Sequence, residues 1–182
     1  MYDVKKNFLI GTVLGGSSLV KPPKGVNYYL SMRSQNRDWL IYKMGHMEKY
    51  FEESSIYQYG NTYRVNSCCH GDLTDVYETL YEENKRKVTM KVLDPFMDMG
   101  LSVWFLDNGG KTGRDKKNAY LNTTKFGEAG TDVIKEYFCS LEVPCNVNRD
   151  KERLRVLFTV EGTERYMEII AYCFPPFMSH RT

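Results

Sequence analysis

The side chains best suited to chemistry in this chain are polar and basic, and they recur along short strand-like stretches. Lys21, Lys24, Asn27, Tyr29, Ser31 and Arg33 lie on one such stretch; Gln58, Asn61, Tyr63, Arg64 and Asn66 lie on a second. Further along, Lys111, Arg114, Lys116, Lys117, Asn118, Tyr120 and Asn122 repeat the composition, followed by Asn146, Asn148, Arg149, Lys151, Arg153 and Arg155. Amides, guanidiniums and phenols of this kind contact phosphates and read base edges. The same residues also suit the solvated face of an ordinary antiparallel sheet. Soft-ligand metal chemistry has little support. The five cysteines (Cys68, Cys69, Cys139, Cys145, Cys173) contain no CxxC pair, and His70, after Cys68-Cys69, has no second ligand pair downstream that would complete a zinc site. Their odd count, without a secretory leader, predicts reduced thiols, mostly small buried hydrophobes, in an intracellular chain.

The bulk composition limits the alternatives. The chain has 182 residues, 42 % apolar and 14 % aromatic, enough for one compact domain or two small half-domains with a buried core. Apolar runs such as Val103-Trp104-Phe105-Leu106 are far too short to span a bilayer. Lys+Arg 25 against Asp+Glu 23 gives a net charge of +2, which at first sight argues against nucleic acid. Position matters more than the sum. Acidic side chains gather in the predicted helices (Glu48, Glu52, Glu53, Glu78, Glu82, Glu83, Asp132, Glu136), while the strands and turns are basic. A basic sheet face backed by an acidic shell binds phosphate despite a near-neutral total.

The elements that must position these residues repeat. Phe8-Leu9-Ile10-Gly11-Thr12-Val13-Leu14-Gly15-Gly16-Ser17-Ser18 is apolar and then abruptly small, and 92 positions after Leu9 the stretch Leu101-Ser102-Val103-Trp104-Phe105-Leu106-Asp107-Asn108-Gly109-Gly110 has the same design. A polar strand follows each, over 28–33 and 119–124. Amphipathic helices are then predicted over 37–51 and 130–141, hairpins over 55–67 and 143–160, and closing helices over 73–81 and 163–173. The reading is α+β: two pseudo-symmetric αββαββα repeats, residues 1–93 and 94–182, with Pro95 at the start of the second. Gly11 and Gly15, four apart, leave one helix face bare, and Gly100 and Ser102 do the same on the second helix. The pair would therefore pack closely at the centre; the Gly pairs also suit helix termination.

These two segments resemble the signature helices of LAGLIDADG homing endonucleases in their single-chain, two-repeat form. The stretch Leu121-Asn122-Thr123-Thr124-Lys125-Phe126 is similar to the family's strand end, and Pro175-Pro176-Phe177-Met178-Ser179-His180-Arg181 to its closing motif. The resemblance implies a saddle of antiparallel sheets with the signature helices packed at its centre. It implies a monomer that binds double-stranded DNA through the polar strand residues in the major groove and hydrolyses phosphodiesters with divalent metal, usually magnesium. An intron RNA maturase or a DNA-binding transcriptional regulator on the same fold is the alternative.

The family's reaction needs one carboxylate at the foot of each signature helix, and the matching positions hold Gly16 and Asn108. Gly15, Asp107 and Asn108 are the remaining candidate metal ligands; Asp107 matches a less essential acid that also suits helix-end hydrogen bonding. Lys87 and Arg181 match the peripheral basic residues that poise water and phosphate. Without the two charges that anchor metal ions, cleavage is expected to be lost or reduced to weak nicking, with DNA binding retained.

Overall fold

The structure, a computed structural model, describes residues 4–150 and 153–181. The chain opens with α1 (Val4–Gly15), in which every residue from Asn7 to Gly15 is buried. A helix apolar all round belongs in a core. After β1 (Ser18–Val20) and β2 (Tyr29–Ser34) comes α2 (Arg37–His46), started by Asn36, whose side-chain oxygen accepts the Trp39 amide at 3.2 Å. The hairpin β3 (Tyr57–Tyr59) and β4 (Thr62–Asn66) turns at Gly60-Asn61 and leads to α3 (Gly71–Leu80). A two-residue hairpin, β5 (Tyr81–Glu82) and β6 (Lys85–Arg86), and the short α4 (Met90–Leu93) complete the first pass.

The second pass begins with α5 (Asp98–Asn108), buried from Gly100 to Leu106. It continues through β7 (Gly109–Thr112), β8 (Asn118–Asn122), a 3-10 turn at Thr124–Phe126, α6 (Gly127–Ser140), β9 (Cys145–Asp150), β10 (Arg153–Phe158) and α7 (Val160–Ile170), and ends in 3-10 turns at Ala171–Cys173 and Pro176–Arg181. The strands form two four-stranded antiparallel sheets of matching order, β1-β2-β4-β3 and β7-β8-β10-β9. Leu30, Met32 and Val65 are fully buried under the first sheet, and Ala119, Leu121, Val156 and Phe158 under the second.

The two passes meet through α1 and α5. At Gly11 a side-chain carbon would collide with the Gly100 backbone, so the glycines set a backbone-to-backbone crossing, as the small-residue spacing predicts. Asn7, 6 % exposed, ties the helices further: its Nδ2 donates to the Pro95 carbonyl at 3.1 Å and its Oδ1 accepts the Met97 amide at 2.7 Å. Pro95 thus lies in the link between α4 and α5 rather than in the first turn of a helix.

Other expectations are corrected in detail. The helix predicted over 37–51 stops at His46, and the closing helix begins at Val160 and ends at Ile170. Glu82 and Glu83 sit on the β5–β6 hairpin, not in a helix. Lys151 lies outside the described residues. Of the five cysteines, all unpaired, only Cys145 is buried while Cys68, Cys69 and Cys139 are exposed; burial pushes the Cys145 thiol up to about 12.

Candidate nucleic-acid face and active centre

Register decides which polar strand residues share a face. In the first sheet Ser18 pairs with Ser31, Val20 with Tyr29, Ser31 with Asn66, and Arg33 with Arg64, while Tyr57 lies opposite Arg64. Tyr29, Ser31, Arg33, Arg64 and Asn66 therefore form one outward row. Tyr63 and Gln58 pair with each other in phase with buried Val65, on the helix side. In their place the outward face gains Tyr57 and Tyr59, 63 % and 81 % exposed. A groove of about 670 Å³ runs over this face from Gly16 past Ser31 and Arg33 to Arg64 and Tyr59. Two arginines facing each other across neighbouring strands repel, and neither has an acidic partner among the described residues.

The second sheet carries a corresponding row. Asn122 pairs with Arg155, Arg155 with Asn148, and Tyr120 with Leu157, which in turn pairs with Asn146. Arg153, opposite Asp150, shares that phase, and the Arg155 guanidinium lies 4.8 Å over the Tyr120 ring. Asn118 is on the same side, with its amide engaged on the Phe158 carbonyl at 2.9 Å. Lys111 pairs with buried Ala119, on the helix side. Arg149 also faces the helices and reaches Glu128 of α6 at 3.1 Å. Arg114, Lys116 and Lys117 are exposed in the β7–β8 loop, as are Lys21 and Lys24 in the β1–β2 loop and Asn61 in its turn. Asn27 is turned inward to accept the Thr74 hydroxyl at 3.2 Å.

Between the sheets lie the feet of α1 and α5. At the first, Gly16 has φ +146°, a conformation that side-chain-bearing residues avoid, and open space around its missing side chain. Arg86 pins this backbone from outside: its Nη2 donates to the Ser17 carbonyl at 2.6 Å. At the second foot, Asp107 is fully engaged. The Trp39 indole donates to Oδ1 at 2.6 Å, and Lys43 Nζ reaches Oδ1 and Oδ2 at 3.0 and 2.9 Å. Lys43 is 1 % exposed. The Asp107 side chain also packs where Gly15 lacks one, so a Cβ at position 15 would strike it. Asn108 Nδ2 donates to the Asn122 carbonyl at 2.6 Å.

Lys125, on the turn after β8, faces the same region. It has no hydrogen-bond or ion-pair partner among the described residues, and its ammonium lies 5.4 Å over the Phe126 ring. Burial and the neighbouring Arg86 guanidinium pull it down to about 7, against the opposing pull of Asp107. Lys87, by contrast, turns away to pair with Glu82 at 3.0 Å. Arg181 lies in the final 3-10 turn, its side chain outside the description. Arg86, Lys125, Lys43 and Trp39 are the central residues that motif reasoning passed over. Among the described residues no group of three or more His, Cys, Asp or Glu side chains is placed to hold a metal ion.

Comparison with known proteins places this geometry. No curated protein sequence matches the chain. Among solved structures, homing endonuclease I-WcaI bound to its DNA recognition sequence superposes with a TM-score of 0.89 at 17 % identity, over 98 % of this chain and 85 % of that one. I-DmoI in complex with DNA and Mn gives 0.63 at 10 % identity, over 92 % and 97 %. Full-length DUF199/WhiA from Thermatoga maritima gives 0.62 at 11 %, over 93 % of this chain and 56 % of that one. The fold is that of the LAGLIDADG homing endonucleases, α+β with antiparallel sheets around paired central helices. The model of the LAGLIDADG DNA endonuclease family matches residues 6–166, and the chain belongs to that family.

Proposed function

We propose that this protein is a sequence-specific double-stranded DNA-binding protein on a homing endonuclease scaffold, acting as a monomer whose two repeats, residues 1–93 and 94–182, each lay one sheet on the duplex. The observation that carries the reading is the outward row of each sheet. Arg33 faces Arg64 with no acid among the described residues to neutralise them, flanked by Ser31, Asn66 and exposed tyrosines. A like-charge pair directly across two strands destabilises a free sheet and suits one that meets a polyanion. Asn122, Arg155 and Asn148 supply the corresponding donors and acceptors in the second sheet for reading base edges.

Cleavage is the part of the family's activity that this centre serves poorly. Divalent magnesium or manganese wants several oxygen ligands, carboxylates first. Gly16 contributes no side chain, Asp107 has both oxygens committed to Lys43 and Trp39, and Asn108 turns its amide nitrogen to Asn122. The residues present do not fit a metal pair, so no hydrolytic step is assigned to them.

Selection of this protein's ligands from randomised duplex DNA, followed by incubation of the enriched duplex with magnesium or manganese, tests both halves of the proposal. The expected result is one enriched sequence, bound in preference to structured RNA and left uncut or only nicked. Robust double-strand cleavage refutes the impairment, and failure to enrich any duplex refutes the binding reading.

A further inference from the structure

The centre between the sheets carries a charge arrangement that duplex reading alone does not explain. A cavity of about 580 Å³ opens between the β5–β6 hairpin and the 3-10 turn after β8, lined by Ser18, Tyr81, Asn84, Arg86, Lys125 and Phe126. It meets the groove of the first sheet at Ser18, which lines both. Arg86 is held rigidly at its rim. Nη2 bonds the Ser17 carbonyl at 2.6 Å and Nε the Tyr81 hydroxyl at 3.2 Å, leaving Nη1 without a partner among the described residues. Lys125, on the opposite wall, is likewise without a hydrogen-bond or ion-pair partner. The acid closest in influence, Asp107, is neutralised by buried Lys43.

A guanidinium and a lysine amine on facing walls, with no free carboxylate between them among the described residues, disfavour a divalent metal ion and suit an anion, whose charge holds the proton on Lys125. We propose that this seam is a metal-independent phosphate site, in which one backbone phosphate of the bound duplex is held between Arg86 and Lys125. The site rests on the duplex-binding reading and deepens it. Where the family expectation places metal ions beside the central phosphates, this chain places a guanidinium and an ammonium. A guanidinium fixed through its Nε and Nη2 hydrogen bonds presents Nη1 without further ordering, and the ammonium supplies a compact second charge.

The test uses the full-length protein and a fluorescent duplex bearing the enriched sequence. Anisotropy titrations in EDTA and in magnesium chloride are expected to agree within about twofold. Lys125→Met is expected to weaken binding about tenfold and to lower the salt slope by about 0.9, the loss of one phosphate contact. Lys125→Arg should retain most of the affinity, and thermal melts of both variants report their folding. Neutral methylphosphonate linkages introduced singly along the central steps locate the contact. At one step the substitution should cost the wild type about tenfold and Lys125→Met less than twofold.

A loss of more than about tenfold in EDTA overturns the site, as does equal binding by a folded Lys125→Met protein. The same holds if methylphosphonate and Lys125→Met effects multiply at every step. Inorganic phosphate serves as the small-anion control: saturable binding below ~1 mM, followed on the Lys125 side-chain resonances, reassigns the site to a free anion and overturns the duplex assignment. If no duplex is enriched at all, the binding reading falls and this site falls with it, whereas an enriched duplex indifferent to Lys125 removes only the site.

Discussion

The feet of α1 and α5 occupy corresponding places in the two passes of the chain, and they are built by opposite means. At the first, there is no side chain at all: Gly16 stands at φ +146°, and an arginine from a distant hairpin holds the following carbonyl. At the second, side chains are present and already committed, Asp107 to Lys43 and Trp39, Asn108 to Asn122. One foot is bare backbone and the other a closed hydrogen-bond network. The comparison shows that Gly16 and Asn108, neither of which carries a carboxylate, each sit in surroundings fitted to the residue present.

The second foot offers the largest effect. Lys43 and Asp107 form a buried pair joining α2 to α5, and removing one partner strands the other's charge in the core. Lys43→Met is expected to lower the unfolding free energy by about 3–5 kcal/mol, measured by urea denaturation. Adding Asp107→Asn keeps the Trp39 indole bond and removes the stranded charge, so the double variant should recover most of that loss. A loss under about 1 kcal/mol for Lys43→Met would show that the pair is solvated and the network open.

Restoring the expected acids probes both feet at once. Gly16→Asp forces a side chain onto the +146° backbone, costing about 1–3 kcal/mol. Asn108→Asp replaces a donor, 2.6 Å from the Asn122 carbonyl, with an acceptor, costing about 1–3 kcal/mol more. The double variant should melt lower and remain unable to make double-strand breaks in a supercoiled plasmid carrying the enriched site, with either magnesium or manganese. Recovery of efficient cutting would mean that the two feet lack only their charges and that the fitted surroundings are incidental.

The contrast between the feet also marks where sequence reading stops. Element order was legible because helix and strand periodicities are local: two apolar-then-small segments spaced alike announced α1 and α5, and Gly11 with Gly100 announced their crossing. Lys87 and Arg86 are not separable in the sequence, since β6 covers only Lys85 and Arg86 and is too short to give a period that says which basic residue turns to the centre. Lys43 reads as one more charge on the amphipathic α2, and nothing local shows that Asp107, 64 positions away, will bury it. Lys125 lies within the stretch from Leu121 to Phe126, and nothing local separates it from its neighbours. The inward phase of Tyr63 is legible: it is two residues from Val65, and strand alternation places it on the same face as that buried valine.

A smaller effect follows from Lys125, whose ammonium faces the Arg86 guanidinium of β6, Asp107 of α5 and the ring of Phe126. Held down to about 7, it is neutral in the native protein free of DNA and charged in the unfolded chain through the alkaline range up to the ordinary lysine value. The unfolded state then binds more protons, so this residue's contribution makes stability rise with pH above 7; below 7 its penalty is present in full. Above about 9 the buried thiol of Cys145 acts in the opposite direction, because the unfolded chain releases that proton first. The window for measurement is therefore pH 7 to 8.5, bounded by these two groups. Lys125→Met should flatten the rise in urea stability across it and raise Tm near pH 7 by about 2–4 °C. An unchanged slope would mean that the first foot's cationic wall is solvated.

The smallest effect compares the sheets themselves. Arg64→Ala removes one side of the repulsive pair with Arg33 and should stabilise the free protein by about 0.2–0.5 kcal/mol while lowering the DNA salt slope by about 0.9. Arg155→Ala in the second sheet removes a guanidinium that lies 4.8 Å over the Tyr120 ring. It should destabilise by about 0.5–1 kcal/mol for a comparable loss in salt slope. The expectation is thus a shared role toward DNA but opposite signs toward folding, since one arginine is opposed by its cross-strand neighbour and the other is seated on an aromatic face. Chemical denaturation paired with salt titrations on the enriched duplex separates the two quantities. If both variants shift stability in the same direction, packing around each side chain outweighs the local charge, and the outward rows are equivalent after all.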